Sequence, residues 1–296
     1  MKTNSIHRVG LAALALLIQL LLLVSPNAGA ADDARPVENA SLHKLDTKAH
    51  PSLPSIYLIG DSTVRVGTPG QRGWGDELAT YFDLSKINVV NHAIGGRSSR
   101  TYQTEGRWAG SLAMIAQGDF VIFQFGHNDA SPVNDNSRAR GTLPGTGEET
   151  QEIDNLLTLK HEVVHTYGWY MRQYVKDVKA KGAIPILCSP IPRENWQNGK
   201  MARNAGTYGG WARQVAAQEG ASFVDLNEII AQGYEKMGPD KVAALFAAGQ
   251  HTHTTVAGAQ FNAQCVVAGL EGLSGKPLDQ YLSDAGRAVP PFPSAQ

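Results

Sequence analysis

Four short segments of this chain carry side chains able to do acyl-transfer chemistry. They are Gly60-Asp61-Ser62-Thr63, Asn91-His92-Ala93-Ile94-Gly95-Gly96-Arg97-Ser98, Gly126-His127-Asn128-Asp129 and His251-Thr252-His253. Ser62 needs a base before it is nucleophilic, and histidine is the usual base near neutral pH. A carbonyl oxygen that gains negative charge needs fixed donors. The N–H groups of Ser62 and Gly96 and the side-chain amide of Asn128 offer three. Glycine suits position 96 because no Cβ blocks an oxygen approaching the backbone.

These segments fall at chosen places in a repeating pattern. Short apolar runs occur at Ile56–Ile59, Val89–Val90, Phe120–Phe125, Ile184–Cys188 and Ser222–Leu226. Helical patterns lie between them, near 73–84, 160–181 and 204–219, with a last one near 256–273. Buried strands separated by amphipathic helices predict a parallel sheet covered on both faces. Ligands of such sheets sit outside the carboxyl ends of the strands. Three of the four segments follow an apolar run directly, and the fourth precedes the last helix. The polar segment 130–158 reads as a surface loop near the site, with Glu148, Glu149 and Glu152 on its rim.

Composition excludes several classes. With 26 basic and 27 acidic residues the chain has no positive excess for bulk nucleic-acid binding. Two cysteines do not make a disulfide scaffold, and Cys188 and Cys265 lie in separate elements. Lys2 and Arg8, the apolar run Leu11–Val24 and Ala28-Gly29-Ala30 have the order of a secretory signal peptide. A membrane anchor needs about 20 apolar residues, more than this run supplies. The expected organisation is a signal peptide over 1–30, a flexible leader over 31–54, one domain over 55–275 and a carboxyl-terminal tail over 276–296. The mature protein is expected to be secreted or periplasmic and monomeric.

The four segments together resemble the conserved blocks of the SGNH (GDSL-type) hydrolases. Further motifs narrow the resemblance to the rhamnogalacturonan acetylesterase branch: Gly73-Trp74-Gly75, Glu105-Gly106-Arg107-Trp108, Phe125-Gly126-His127-Asn128-Asp129, Val163 to Tyr170 and His251-Thr252-His253-Thr254. The resemblance spans roughly residues 55–272. It implies a three-layer α/β/α fold around a five-stranded parallel sheet, no cofactor, and an acetylated pectic polysaccharide as substrate. It makes Ser62 the nucleophile, His253 the base, and Ser62, Gly96 and Asn128 the oxyanion donors. His127 and Asp129 would brace the oxyanion loop, and Arg97, His127 and Trp169 are candidate substrate contacts.

One position departs from that pattern. Three residues before the histidine the family carries an aspartate, and this chain has Gln250. A glutamine orients an imidazole but supplies no charge to favour imidazolium. Ser62 and His253 are therefore expected to act as a dyad whose ring is oriented by Gln250 or by a backbone carbonyl. A carboxylate from elsewhere, or a weak glycan-binding relative, remains the alternative. His251 is a second candidate base, because in an extended segment it would face the same side as His253.

A competing signal is His161-Glu162-Val163-Val164-His165, an H-E-x-x-H pattern on an expected helix, with both histidines on one face as in zinc proteases. Met171 stands where an extended motif of that kind has its third histidine, and Glu194, a candidate carboxylate ligand, follows the fourth apolar run and Pro190-Ile191-Pro192 rather than sitting on a second helix. For the substrate, Arg97, Arg100 and Arg107 are expected to attract a polyanion, and Trp108, Tyr167, Trp169 and Tyr170 to stack on sugar faces.

Overall fold

The computed structural model describes residues 45–292. The signal-peptide pattern lies outside the described residues. Among them, no helix is long and apolar enough to cross a membrane.

The apolar runs become strands for a simple reason: helices cover both faces of the sheet, most completely over the central runs 56–59 and 120–124, so residues on either side need apolar neighbours. The first strand, β1 (Ser55–Gly60), is buried throughout. Ile56 and Leu58 point into one core, while Tyr57 and Ile59 point into the other. β2 (Asn88–Asn91) and β3 (Phe120–Gln124) flank it, both parallel to it. Between them run α1 (Ser99–Thr104) and α2 (Arg107–Met114). A hairpin follows, β4 (Thr150–Asp154) and β5 (His161–His165), paired antiparallel. Next come α3 (Tyr167–Ala180), β6 (Ile184–Cys188), a two-residue hairpin β7–β8 (Trp196–Gln197 and Lys200–Met201), α4 (Tyr208–Glu219) and β9 (Ser222–Val224). The chain ends with α5 (Leu226–Met237), α6 (Pro239–Ala243), α7 (Val256–Glu271) and α8 (Asp284–Arg287).

The five parallel strands are ordered β2-β1-β3-β6-β9. The chain leaves β1 toward β2 on one side and returns to β3 on the other. The order therefore reverses beside β1, and a crevice opens at the carboxyl ends of β1 and β3. α1–α4 cover one face, around Trp108, Phe123, Phe125 and Tyr174. α5, α7 and the carboxyl-terminal segment cover the other, around Ile122, Ile186, Val266 and Leu270. The expected three-layer sandwich and five-stranded parallel sheet are what the chain forms.

Several expectations are corrected. Residues 73–84 form two short 3-10 turns, Trp74–Asp76 and Leu78–Tyr81, rather than one helix. The close fit of Gly73 and Gly75 against Val64 explains this: a Cβ on Gly73 would lie 2.3 Å from the Val64 backbone. Segment 130–158 is not all loop, since it contains β4. The carboxyl-terminal residues are not a free tail, because Leu278, Leu282 and Val289 are buried in the core. The described end of the leader is tied down as well. Lys48 pairs with Asp119 at 3.1 Å, and the Asp46 carbonyl accepts from His92 at 2.8 Å. Cys188 and Cys265 are both free and buried, and burial pushes each thiol up to about 12.

The H-E-x-x-H segment is a strand, β5. Its two adjacent β-branched residues, Val163 and Val164, favour extension, and Val164 packs inward while Val163 stays exposed. Four residues along a strand span about 13 Å, so His161 and His165 do not meet around one ion. Glu162 points away from both and takes a bidentate pair from Arg100, at 2.6 Å for each bond, plus 2.8 Å from Asn155. Burial pushes its carboxyl up, but the bonds and charge of Arg100, with the bond from Asn155, hold it below the usual range. Glu162 is a structural partner here.

Candidate active site

The turn after β1 is built on Asp61. Its carbonyl accepts from the N–H groups of Val64 and Arg65, at 3.1 Å each. Its carboxylate Oδ1 accepts from the Thr63 N–H at 2.9 Å and the Thr63 hydroxyl at 2.7 Å. Behind the turn stands a directed chain of donors. Trp74 Nε1 donates to Gln124 Oε1 at 2.9 Å, and Gln124 Nε2 donates to Thr63 Oγ1 at 2.5 Å. On the other side, His127 Nδ1 lies 3.3 Å from Asp61 Oδ2, and its Nε2 lies 3.0 Å from the Ile191 carbonyl. Burial alone would raise the Asp61 carboxyl. The charge and hydrogen bond of His127 and the two bonds from Thr63 outweigh it and hold the group below the usual range. A buried carboxylate satisfied on every side locks the turn, and Ser62 rides on it.

His253 arrives from 191 residues away and closes on that serine. Its Nε2 lies 2.9 Å from Ser62 Oγ. Its Nδ1 lies 3.1 Å from Gln250 Oε1. An amide oxygen only accepts, so Nδ1 carries the hydrogen and Nε2 presents its lone pair to the serine hydroxyl. The segment is fixed by backbone pairing. Arg72 N–H donates to the Thr254 carbonyl at 2.8 Å, Ala247 N–H to the His253 carbonyl at 3.0 Å, and Glu194 N–H to the His251 carbonyl at 2.7 Å. Thr255 then caps α7. His251 points elsewhere: it is exposed, and its Nδ1 lies 3.4 Å from Glu194 Oε2. It is not the base facing Ser62.

The donor loop follows β2. The Cβ direction of Gly95 meets Ser62 Cβ at 3.5 Å, so this loop lies directly against the serine. Gly96 adopts φ +77°, a conformation that favours glycine. Its carbonyl accepts from Arg140 Nη1 at 2.9 Å, and the peptide that carries its N–H is held through the Gly95 carbonyl, which accepts from Arg97 Nη1 at 3.0 Å. Asn128, after β3, donates one amide hydrogen to the Arg97 carbonyl at 2.9 Å and keeps a second one. Among the described residues, neither the Ser62 N–H nor the Gly96 N–H donates to a backbone carbonyl. Three unspent donors beside a serine–histidine pair can stabilise a tetrahedral oxyanion.

Asp129 braces the same region. Its Oδ1 accepts from the Ser99 N–H at 3.1 Å and the Ser99 hydroxyl at 2.5 Å, whereas Oδ2 is buried without a partner. Burial raises its carboxyl to about 7, against the opposing bonds from Ser99. The folded protein therefore keeps a proton that the unfolded chain releases near 3.8. Stability from this group is complete below that value and is lost as pH rises toward 7. Asp129→Asn preserves the acceptor for Ser99 and removes the titration. Its stability relative to wild type is expected to rise by roughly 2–4 kcal/mol between pH 4 and pH 8 in urea unfolding. A constant difference across that range contradicts this.

The remaining expected contacts are divided. Arg97 stands near the site, but its guanidinium is held by Glu105 at 3.0 Å and by the Gly95 carbonyl at 3.0 Å. Arg107 is buried on the same Glu105, and Arg100 is buried on Glu162. Each of the three arginines expected to attract a polyanion is therefore paired with a carboxylate of the protein, Arg97 and Arg107 sharing one. Trp108, Tyr167 and Tyr170 are core residues, not sugar platforms. Trp169 is half-buried and stacks on His165 at 3.8 Å between centroids. Two features went unforeseen. Arg140 donates to the Gly96 carbonyl, and Arg193 reaches across the mouth of the site, its guanidinium bonded to the Thr252 hydroxyl and the His127 carbonyl.

Comparison with known proteins agrees with this geometry. The model of the GDSL-like lipase/acylhydrolase family matches residues 58–261. The chain belongs to that family. The family match begins inside β1 and ends inside α7, so it takes in all four segments described above. Among curated relatives, a rhamnogalacturonan acetylesterase of Emericella nidulans is 34% identical over 69% of this chain and 79% of its own. A probable rhamnogalacturonan acetylesterase of Bacillus subtilis, YesY, is 35% identical over 77% of this chain and 96% of its own. A crystal structure of YxiM from Bacillus subtilis superposes with a TM-score of 0.61 at 27% identity. It matches 76% of this chain, which spans 58% of that structure.

Proposed function

We propose that this GDSL-family protein is a serine carbohydrate esterase that removes O-acetyl groups from plant cell-wall polysaccharide, pectic rhamnogalacturonan above all. It works outside the cytoplasm, as a monomer and without a metal. The observation that carries the reading is His253 Nε2 at 2.9 Å from Ser62 Oγ, with Gly96 and Asn128 beside them. The names of the curated relatives support the acetyl group and the glycan. The amino-terminal charge and apolar pattern supports export.

The chemistry runs in two halves. Ser62 Oγ attacks the acetyl carbonyl carbon while its proton passes to His253 Nε2. The oxyanion forms against the N–H groups of Ser62 and Gly96 and the free amide hydrogen of Asn128. The bond to the sugar oxygen then breaks, and that oxygen takes the proton from His253. Water attacks the acetyl–serine ester and gives a proton to the same nitrogen. Acetate leaves, and Ser62 Oγ recovers the proton.

Gln250 occupies the place of the family's usual aspartate. It selects the correct tautomer but does not add negative charge next to the forming imidazolium. In serine proteases, replacing the triad aspartate by its amide lowers turnover about 10⁴-fold, partly through the wrong tautomer. Here the ring is already oriented, so only the charge is missing. Gln250→Asp is expected to raise kcat by at least about tenfold. The test is acetate release from a panel of acetylated polysaccharides by wild type, Ser62→Ala and Gln250→Asp. An unchanged or lower rate in Gln250→Asp points to a carboxylate from another segment. No release by wild type from any substrate leaves a glycan-binding relative instead.

A further inference from the structure

The arginine that faces the mouth of the site differs from every other one expected to matter. Arg97, Arg100 and Arg107 each lie on a carboxylate of the protein. Among the described residues, Arg193 makes hydrogen bonds to neutral oxygens only, those of Thr252 and His127. Both partners belong to the catalytic segments. Thr252 precedes His253, and His127 precedes Asn128. Arg193 is exposed, and two of its five N–H donors are spent on these partners. Three remain, on a planar fork whose geometry matches a carboxylate.

A cavity of about 320 Å³ adjoins it. Ligand pockets run from roughly 300 to 1,000 Å³, so this one is of small-ligand size. Pro190, Pro192 and Tyr208 give it apolar walls, the kind of surface that packs on the C–H face of a sugar ring. Asn204 and Asn227 both donate to the Pro190 carbonyl, at 2.8 and 3.1 Å, which holds that wall in place. Gly126 forms the edge shared with the site. A Cβ there would lie 2.6 Å from Pro190 and 2.9 Å from Tyr208, so the strand end must stay bare.

We infer that Arg193 is the residue that selects an acidic glycan: it holds the carboxylate of a hexuronate ring seated in this cavity while a neighbouring acetyl ester lies at Ser62. The inference rests on the acetylesterase reading and names the part of the protein that recognises the charged sugar. A neutral acetylated glycan would occupy the cavity without using the guanidinium.

The test is a calorimetric titration with a galacturonate oligosaccharide and with the same oligosaccharide after reduction of its carboxyls. Wild type is expected to bind the acidic form at least roughly tenfold more tightly. Arg193→Gln is expected to bind both forms alike, and Arg193→Lys to fall between, because an ammonium keeps the charge without the fork. Thermal unfolding of both variants checks that they fold. A wild type that does not prefer the acid, or a preference that survives in Arg193→Gln, overturns the inference. Acetate release is measured separately on acetylated rhamnogalacturonan and on neutral acetylxylan. Failure to deacetylate either one removes the esterase reading. A ratio of kcat/KM on the two substrates that is the same in wild type and Arg193→Gln removes only the role of Arg193.

Discussion

Ser62→Ala is expected to lower acetate release by about 10⁴-fold or more while the protein stays folded. The hydroxyl is the atom that attacks, and it lies 2.9 Å from His253 Nε2. The methyl that replaces it fits the same turn, because Asp61 holds the turn through Thr63, Val64 and Arg65 rather than through the serine hydroxyl. His253→Ala is expected to fall by a similar factor, and the double variant by little more than either alone. Groups that act as one unit lose their joint contribution once either is gone. Losses that multiply would mean that the two side chains act independently. Initial rates on p-nitrophenyl acetate and on acetylated polysaccharide, with circular dichroism as the folding control, decide it.

Asn128→Ala gives the second large effect. The amide supplies one of three donors to an oxygen whose charge develops only in the transition state. Removing one such donor costs about 3–4 kcal/mol of barrier, or a factor of roughly 10²–10³ in kcat. KM is expected to change little, since the ground-state carbonyl carries less charge. The alanine also frees the Arg97 carbonyl from its bond to the amide. Asn128→Asp separates these two roles. It keeps the size of the side chain but offers an acceptor to the oxyanion, so its rate is expected to be no better than that of alanine. Near-normal kcat in Asn128→Ala contradicts the oxyanion role.

Much of this was legible before any coordinates. Residues 56–59 and 120–123 are apolar without interruption, which is the mark of a strand covered on both faces. The chemistry could be sought at their carboxyl ends because parallel sheets leave loops there. Gln250 could be read from its spacing to His253, and its contact through Nδ1 fits that spacing. What could not be read depends on long-range partners. Arg100 and Glu162 are 62 positions apart, and neither residue type announces that it will be buried with the other. Residues 161–165 satisfy a helical spacing, while their two adjacent valines also suit a strand. Pairing with residues 150–154 decides between them, and that partner lay in a stretch too polar to read as a strand. Trp74 and Gln124 are 50 positions apart. Their bond to one another and to Thr63 is what supports the turn from beneath. Arg193 lies five residues beyond β6, as far as Gly96 lies beyond β2, but no motif in the sequence marks it. Only the folding of two other loops onto it shows where its guanidinium ends.

The most direct measurement is the intact mass of the protein after reaction with a small p-nitrophenyl phosphonate, followed by peptide mapping. A single adduct on Ser62 is expected, formed with release of one p-nitrophenolate per chain, absent in Ser62→Ala and strongly slowed in His253→Ala. Stoichiometric labelling at any other side chain, or undiminished labelling without His253, would contradict a nucleophile at the end of β1 that depends on the imidazole ahead of α7.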